Sequence, residues 1–128
     1  MMSTRALLTS SAVFLGLAGG GLTFLPQELL LHVRQPDARI LVVFVQTVGA
    51  AYLAFAMLNW MSRGSTIGGI YGRPLVVANV VHFTMVAILL IKWAAAGAPP
   101  GIMLFGAVYT LFAVWFGAAM FGSPAPRA

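Results

Sequence analysis

Only His82 combines a place deep in a long apolar stretch of this sequence with a side chain suited to proton exchange. Asn79 lies three residues before it and shares its face of a helix. On the preceding apolar stretch stand Tyr52 and Asn59. Counted from the connection between the two stretches at about 1.5 Å per residue, Asn59 and Asn79 each lie roughly 7 Å inside. They are level, and Tyr52 and His82 form a second, deeper level. Polar atoms in apolar surroundings need partners, so these four side chains are expected to satisfy one another. Two readings follow. One is a small polar pocket able to hold a headgroup, a quinone carbonyl or a similar ligand. The other is a set of interhelical hydrogen bonds that holds two helices in register. Gln46 and Tyr109 form a further possible level towards the other surface.

Other chemistries lack material. The chain has no cysteine, which removes thiolate nucleophiles, disulfides and Cys-based metal sites. Its acids, Glu28 and Asp37, share one connection, so neither a carboxylate pair nor an acid at the level of His82 can form inside an apolar stretch. His82 and Met85 share a face, with Met57 and Met61 on the preceding stretch, a set that suits copper(I). Methionines at helical spacing usually fill space instead, and no metal or cofactor is expected. His32 falls at the opposite surface, roughly 20 Å in depth from His82 by helix rise, too far for a shared haem. The connection GSTIGGIYG is no phosphate loop, because no Lys-Ser/Thr follows its glycines and no strand precedes it. Its backbone N–H groups could form an anion nest, with Ile67, Ile70 and Tyr71 dipping into an interface. Arg63 and Arg73 flank it and are candidate contacts for lipid headgroups.

The elements that carry these residues follow from composition. Of 128 residues, 61% are hydrophobic and 7% charged, against about 25% charged in a soluble domain. Lipid must therefore be the solvent for most of the chain. The net charge of +5 reflects missing acids, since the seven basic residues are scattered singly near the ends of apolar runs. That pattern excludes a nucleic-acid surface, which clusters them with aromatics. Four apolar runs, at about 6–25, 40–61, 75–96 and 102–121, each reach the roughly 20 residues a membrane helix needs. The expectation is an all-α polytopic membrane protein. Residues 1–128 would form a single transmembrane domain, an antiparallel four-helix bundle with a short interfacial helix between the first two spans. Pro26 should end the first span, Pro36 stop the interfacial helix and Asp37 cap the second span. Gly64 should follow the second span's end, Pro74 open the third, Gly97 close it and Pro99–Pro100 open the fourth.

Small residues recur in steps of three and four: Ala12, Gly16, Gly19 and Thr23; Gln46, Gly49, Leu53 and Ala56; Gly106, Thr110, Ala113 and Gly117. In lipid, close backbone approach supplies the packing energy, so these stripes are expected to pack within the chain, with a dimer seam as the alternative. The first run, after Arg5, is longer than a signal-peptide core and has no clear cleavage site, and is read as a retained span. Arg5, Arg63, Arg73 and Arg127 share one side, against Arg34, Arg39 and Lys92 on the other. The excess places both termini in the cytoplasm.

The stretch QTVGAAYLAFAMLNW, followed by RGSTIGGIYGRPLVVAN, resembles a group of small bacterial four-helix membrane proteins loosely similar to DoxX-like proteins. The resemblance covers about a third of the chain. It implies a four-helix fold in a bacterial inner membrane and carries over no site residue. Small multidrug exporters have a similar length but need a glutamate in the first span, where this chain has none. The expected function is non-enzymatic: a small integral membrane protein acting by interaction, as a homo-oligomer or an accessory subunit of a larger membrane complex. Its other partners are membrane lipids, and nucleic acid is excluded. The alternative is a binding or transport protein for a small lipophilic molecule, using the pocket around His82.

Overall fold

A computed structural model describes residues 3–65 and 72–122. The described chain is all helical: α1 (Thr4–Phe24), α2 (Pro26–His32), α3 (Arg39–Met61), α4 (Gly72–Ala95) and α5 (Pro100–Gly122). Four of these, α1, α3, α4 and α5, are long and apolar enough to cross a membrane. With the short α2 between the first two spans, this is the expected multi-pass helical architecture. Large apolar side chains such as Leu17, Phe24, Met61 and Phe121 are at least 74% exposed. Water would make that arrangement costly, whereas lipid is the solvent it requires.

The helix ends follow local chemistry. Ser3 caps α1, its hydroxyl accepting the N–H of Ala6 at 3.0 Å. Pro26 interrupts the ladder because it has no N–H to give, and α2 starts on it. That short helix stops before Pro36, at a Schellman-type turn. Arg34 adopts a left-handed φ of 61°, Arg34 N donates to Leu31 O at 3.0 Å, and Gln35 N donates to Leu30 O at 2.8 Å. Contrary to expectation, Asp37 does not cap α3. Ala38 holds that position with no side-chain cap bond. At its other end α3 closes on Ser62, two residues before Gly64. Gly97 does close α4, with a φ of 94° and the N–H of Ala98 donating to Trp93 O at 3.3 Å. The nest and interface contacts expected of GSTIGGIYG concern residues 66–71, which lie outside the described residues.

The chain divides into two compact units. Within Leu8–Arg63, α1 and α3 run antiparallel, since Gly16 faces Ala56 while Gly19 faces Gly49 and Leu53. The two small-residue stripes of these helices therefore meet each other, within the chain. Their closest approach is backbone on backbone. A Cβ added to Gly49 would stand 2.9 Å from Thr23 N and 3.0 Å from Gly19 O. α2 folds back against α3, burying Pro26 and Leu30.

In the second unit α4 and α5 form an antiparallel hairpin. Gly106 faces Leu90, while Phe83 lies against Phe112 and Phe116 with ring centroids 5.1 and 5.4 Å away. Here the stripe expectation needs correcting. Gly106 has a neighbour 3.3 Å from an added Cβ, but at Gly117 such an atom would meet nothing within 4 Å. Aromatic rings hold this hairpin together, and Phe83, Tyr109 and Phe116 are fully buried.

Candidate functional site

Each unit holds polar side chains inside its spans. In the first, the antiparallel run of α1 and α3 brings Ser11 to Asn59. Asn59 donates from Nδ2 to Ser11 Oγ at 3.0 Å, and Ser11 donates onward to Leu8 O at 3.1 Å. Both side chains are fully buried. The serine hydroxyl thus accepts one bond and gives another, the most efficient use of a small polar group in apolar surroundings. Tyr52 lies on the same buried stripe of α3 as Gly49, Ala56 and Asn59. Nearer the other end of α3, Gln46 donates from Nε2 to Thr23 O at 3.2 Å and is itself exposed. Thr23 Oγ1 is buried without a hydrogen-bond partner among the described residues. It sits where Gly49 comes closest, so the room that would admit a partner is taken by backbone.

In the second unit Asn79 is fully buried and donates from Nδ2 to Leu75 O, one turn back on its own helix, at 2.9 Å. His82 Nε2 and Tyr109 Oη are 3.2 Å apart. Which of the two donates depends on the imidazole tautomer. Aromatic rings surround the pair: Tyr109 has Phe83 at 5.1 Å and Phe105 at 5.4 Å between centroids. A hydroxyl–imidazole pair in such a setting can orient a carbonyl or pass a proton between its members.

The four residues expected to share a pocket come two from each unit. Tyr52 and Asn59 belong to one, Asn79 and His82 to the other. Asn59 has a partner on α1, Asn79 on α4 itself, and His82 on α5. Gln46 and Tyr109, expected at one level, serve Thr23 and His82 respectively. Ser11 was missed altogether. Its signal was present, as a hydroxyl residue within an apolar run, but serine is common enough in membrane helices that only its neighbour on α3 distinguishes it.

Arg63 lies past the end of α3, its guanidinium 4.0 Å from the centroid of the Trp60 ring and donating to Trp60 O. Arg73 is exposed on the first turn of α4. An apolar recess of about 280 Å³ opens beside Trp60, between α1 and α3, against Ala12, Val13, Gly16, Ala56 and Met57. Among the described residues no three His, Cys, Asp or Glu side chains gather in a way that could hold a metal ion. Comparison of the chain with protein-family models, curated proteins and solved structures finds no match.

Proposed function

We propose that this multi-pass protein is non-enzymatic and acts by interaction within a bacterial inner membrane, both termini cytoplasmic, as a homo-oligomer or an accessory subunit of a larger complex. Gln46 carries this reading. It stands seven residues into α3, about 10 Å along the helix, in a segment apolar enough to span. Its side chain is exposed, and its one described hydrogen bond uses a single N–H. The amide carbonyl and the second N–H have no partner among the described residues. A polar group left so in lipid is costly, and a helix of another subunit would satisfy it. The buried Asn59 and Ser11, by contrast, are engaged in an internal bond that joins α3 to α1.

Native mass spectrometry from mild detergent tests the proposal. The wild-type chain should appear as an oligomer or with a copurifying membrane protein, and Gln46→Leu should reduce that assembly severalfold while the chain stays folded. A monomeric wild type without protein partners, indistinguishable from Gln46→Leu, refutes it. A second reading, binding or transport of a small lipophilic molecule, is favoured by the half-buried His82 beside the buried Tyr109 and by their aromatic surroundings. A copurifying small molecule lost in His82→Phe would support that reading.

A further inference from the structure

The Arg63 guanidinium stacks on Trp60, which lines the recess between α1 and α3. We infer that guanidinium and recess together form a binding site for one phospholipid, with an acyl chain in the recess and the headgroup phosphate on Arg63. The recess is apolar, opens to the outside of the unit, and at about 280 Å³ lies near the lower end of ligand-site volumes. Its floor is made of small residues, Ala12, Gly16 and Ala56, and its edges are the half-exposed Val13 and Met57. Trp60 forms one end. Tryptophan at a span's end marks headgroup depth, and Trp60 is the last residue but one of α3.

Charge decides what the occupant carries. The Arg63 guanidinium stacks on Trp60 and gives an N–H to Trp60 O. It has five N–H donors, so several remain, held in place by the ring beside the recess. No carboxylate of this unit can take them. The two acids of the chain, Glu28 and Asp37, precede α3 at its far end, about 35 Å away along the helix. An anion that takes them therefore comes from outside this unit, and a phosphodiester matches a planar guanidinium. A ligand with an anionic phosphate at interface depth and a hydrocarbon tail entering the bilayer is a phospholipid. This site does not rest on the protein-partner reading, which concerns Gln46, two turns or more away from the recess along α3, and either can fail alone.

The test uses the full chain in mixed dodecylmaltoside micelles with dioleoylphosphatidylglycerol, and counts adducts by native mass spectrometry. Dioleoylglycerol, which lacks the phosphate, and inorganic phosphate, which lacks the tail, are run in parallel. The expected result is one phosphatidylglycerol per chain, with dioleoylglycerol held much less and inorganic phosphate not displacing the lipid. Arg63→Gln should weaken retention roughly tenfold or more, the size of a lost charge-assisted bond. Arg63→Lys should keep most of it. Val13→Trp, which fills the recess from its exposed edge, should abolish it independently of the charge. Retention unchanged in either Arg63→Gln or Val13→Trp overturns the inference, as does equal retention of dioleoylglycerol. Displacement by inorganic phosphate would reduce the site to an anion contact and overturn it too. A chain dimer free of lipid that Val13→Trp dissociates would make the recess a protein interface instead.

Discussion

Gly49→Ala is the sharpest probe of how α1 and α3 pack. In an isolated helix the change would stabilise by about 1 kcal/mol, since alanine is the better helix former. Here the new methyl would stand 2.9 Å from Thr23 N, 3.0 Å from Gly19 O and closer still to Thr23 Oγ1. Two of these are backbone atoms and cannot swing aside, so the helices must part. A gap of 0.5–1 Å forfeits a quarter to a half of the local dispersion energy, and overpacking of this kind costs about 1–3 kcal/mol. Separation would also stretch the Gln46–Thr23 bond, already 3.2 Å long. Gly20 is the control: it lies on the same α1, and an added Cβ there meets nothing within 4 Å. Gly20→Ala should gain up to about 1 kcal/mol. Both variants carry the propensity gain, so they should differ by the overpacking cost, about 1–3 kcal/mol. Gly19→Ala should behave like Gly49→Ala, because its methyl would face Gly49 O and Leu53 N, each at 3.0 Å. Gly16→Ala should be tolerated, with only Ala56 Cβ at 3.8 Å. Reversible unfolding by SDS in mixed micelles, followed by circular dichroism, measures all four. If Gly49→Ala is as stable as Gly20→Ala, the backbone contact between α1 and α3 does not exist.

Two further outcomes concern the α4–α5 hairpin. His82→Phe and Tyr109→Phe each remove the 3.2 Å bond between these side chains. Each should lower stability by about 1 kcal/mol, and the double variant should cost less than their sum; full additivity in the same unfolding assay would mean the pair is not coupled. Gly117→Ala should be neutral or stabilising, whereas Gly106→Ala should cost stability because Leu90 Cβ would lie 3.3 Å from the new methyl. Melting temperatures in detergent decide this, and a reversed order would place the tight contact at Gly117.

Composition alone determined the solvent, and with it the class of fold. A chain that is 61% hydrophobic and 7% charged cannot cover itself for water, and in lipid its backbone must satisfy itself within helices. Run lengths then located the spans, and prolines and Gly97 located most of their ends, because those signals act through local backbone geometry. Arg34 shows the limit of such signals. Its left-handed turn ends α2 with a residue that no rule of composition would choose. The small-residue stripes of α1 and α3 were legible because close packing demands small side chains at helical spacing. The stripe of α5 looked the same but splits between a tight Gly106 and an open Gly117, since spacing names a face without naming what covers it. The polar residues were equally visible, but Ser11 as a partner of Asn59 and Tyr109 as a partner of His82 were not. A depth count ranks groups along one axis, but a hydrogen bond needs about 3 Å in three dimensions. Only the lateral arrangement of helices could assign Asn59 to Ser11 and His82 to Tyr109, and only it could set Arg63 and Trp60 beside an apolar recess that no single stretch of sequence contains.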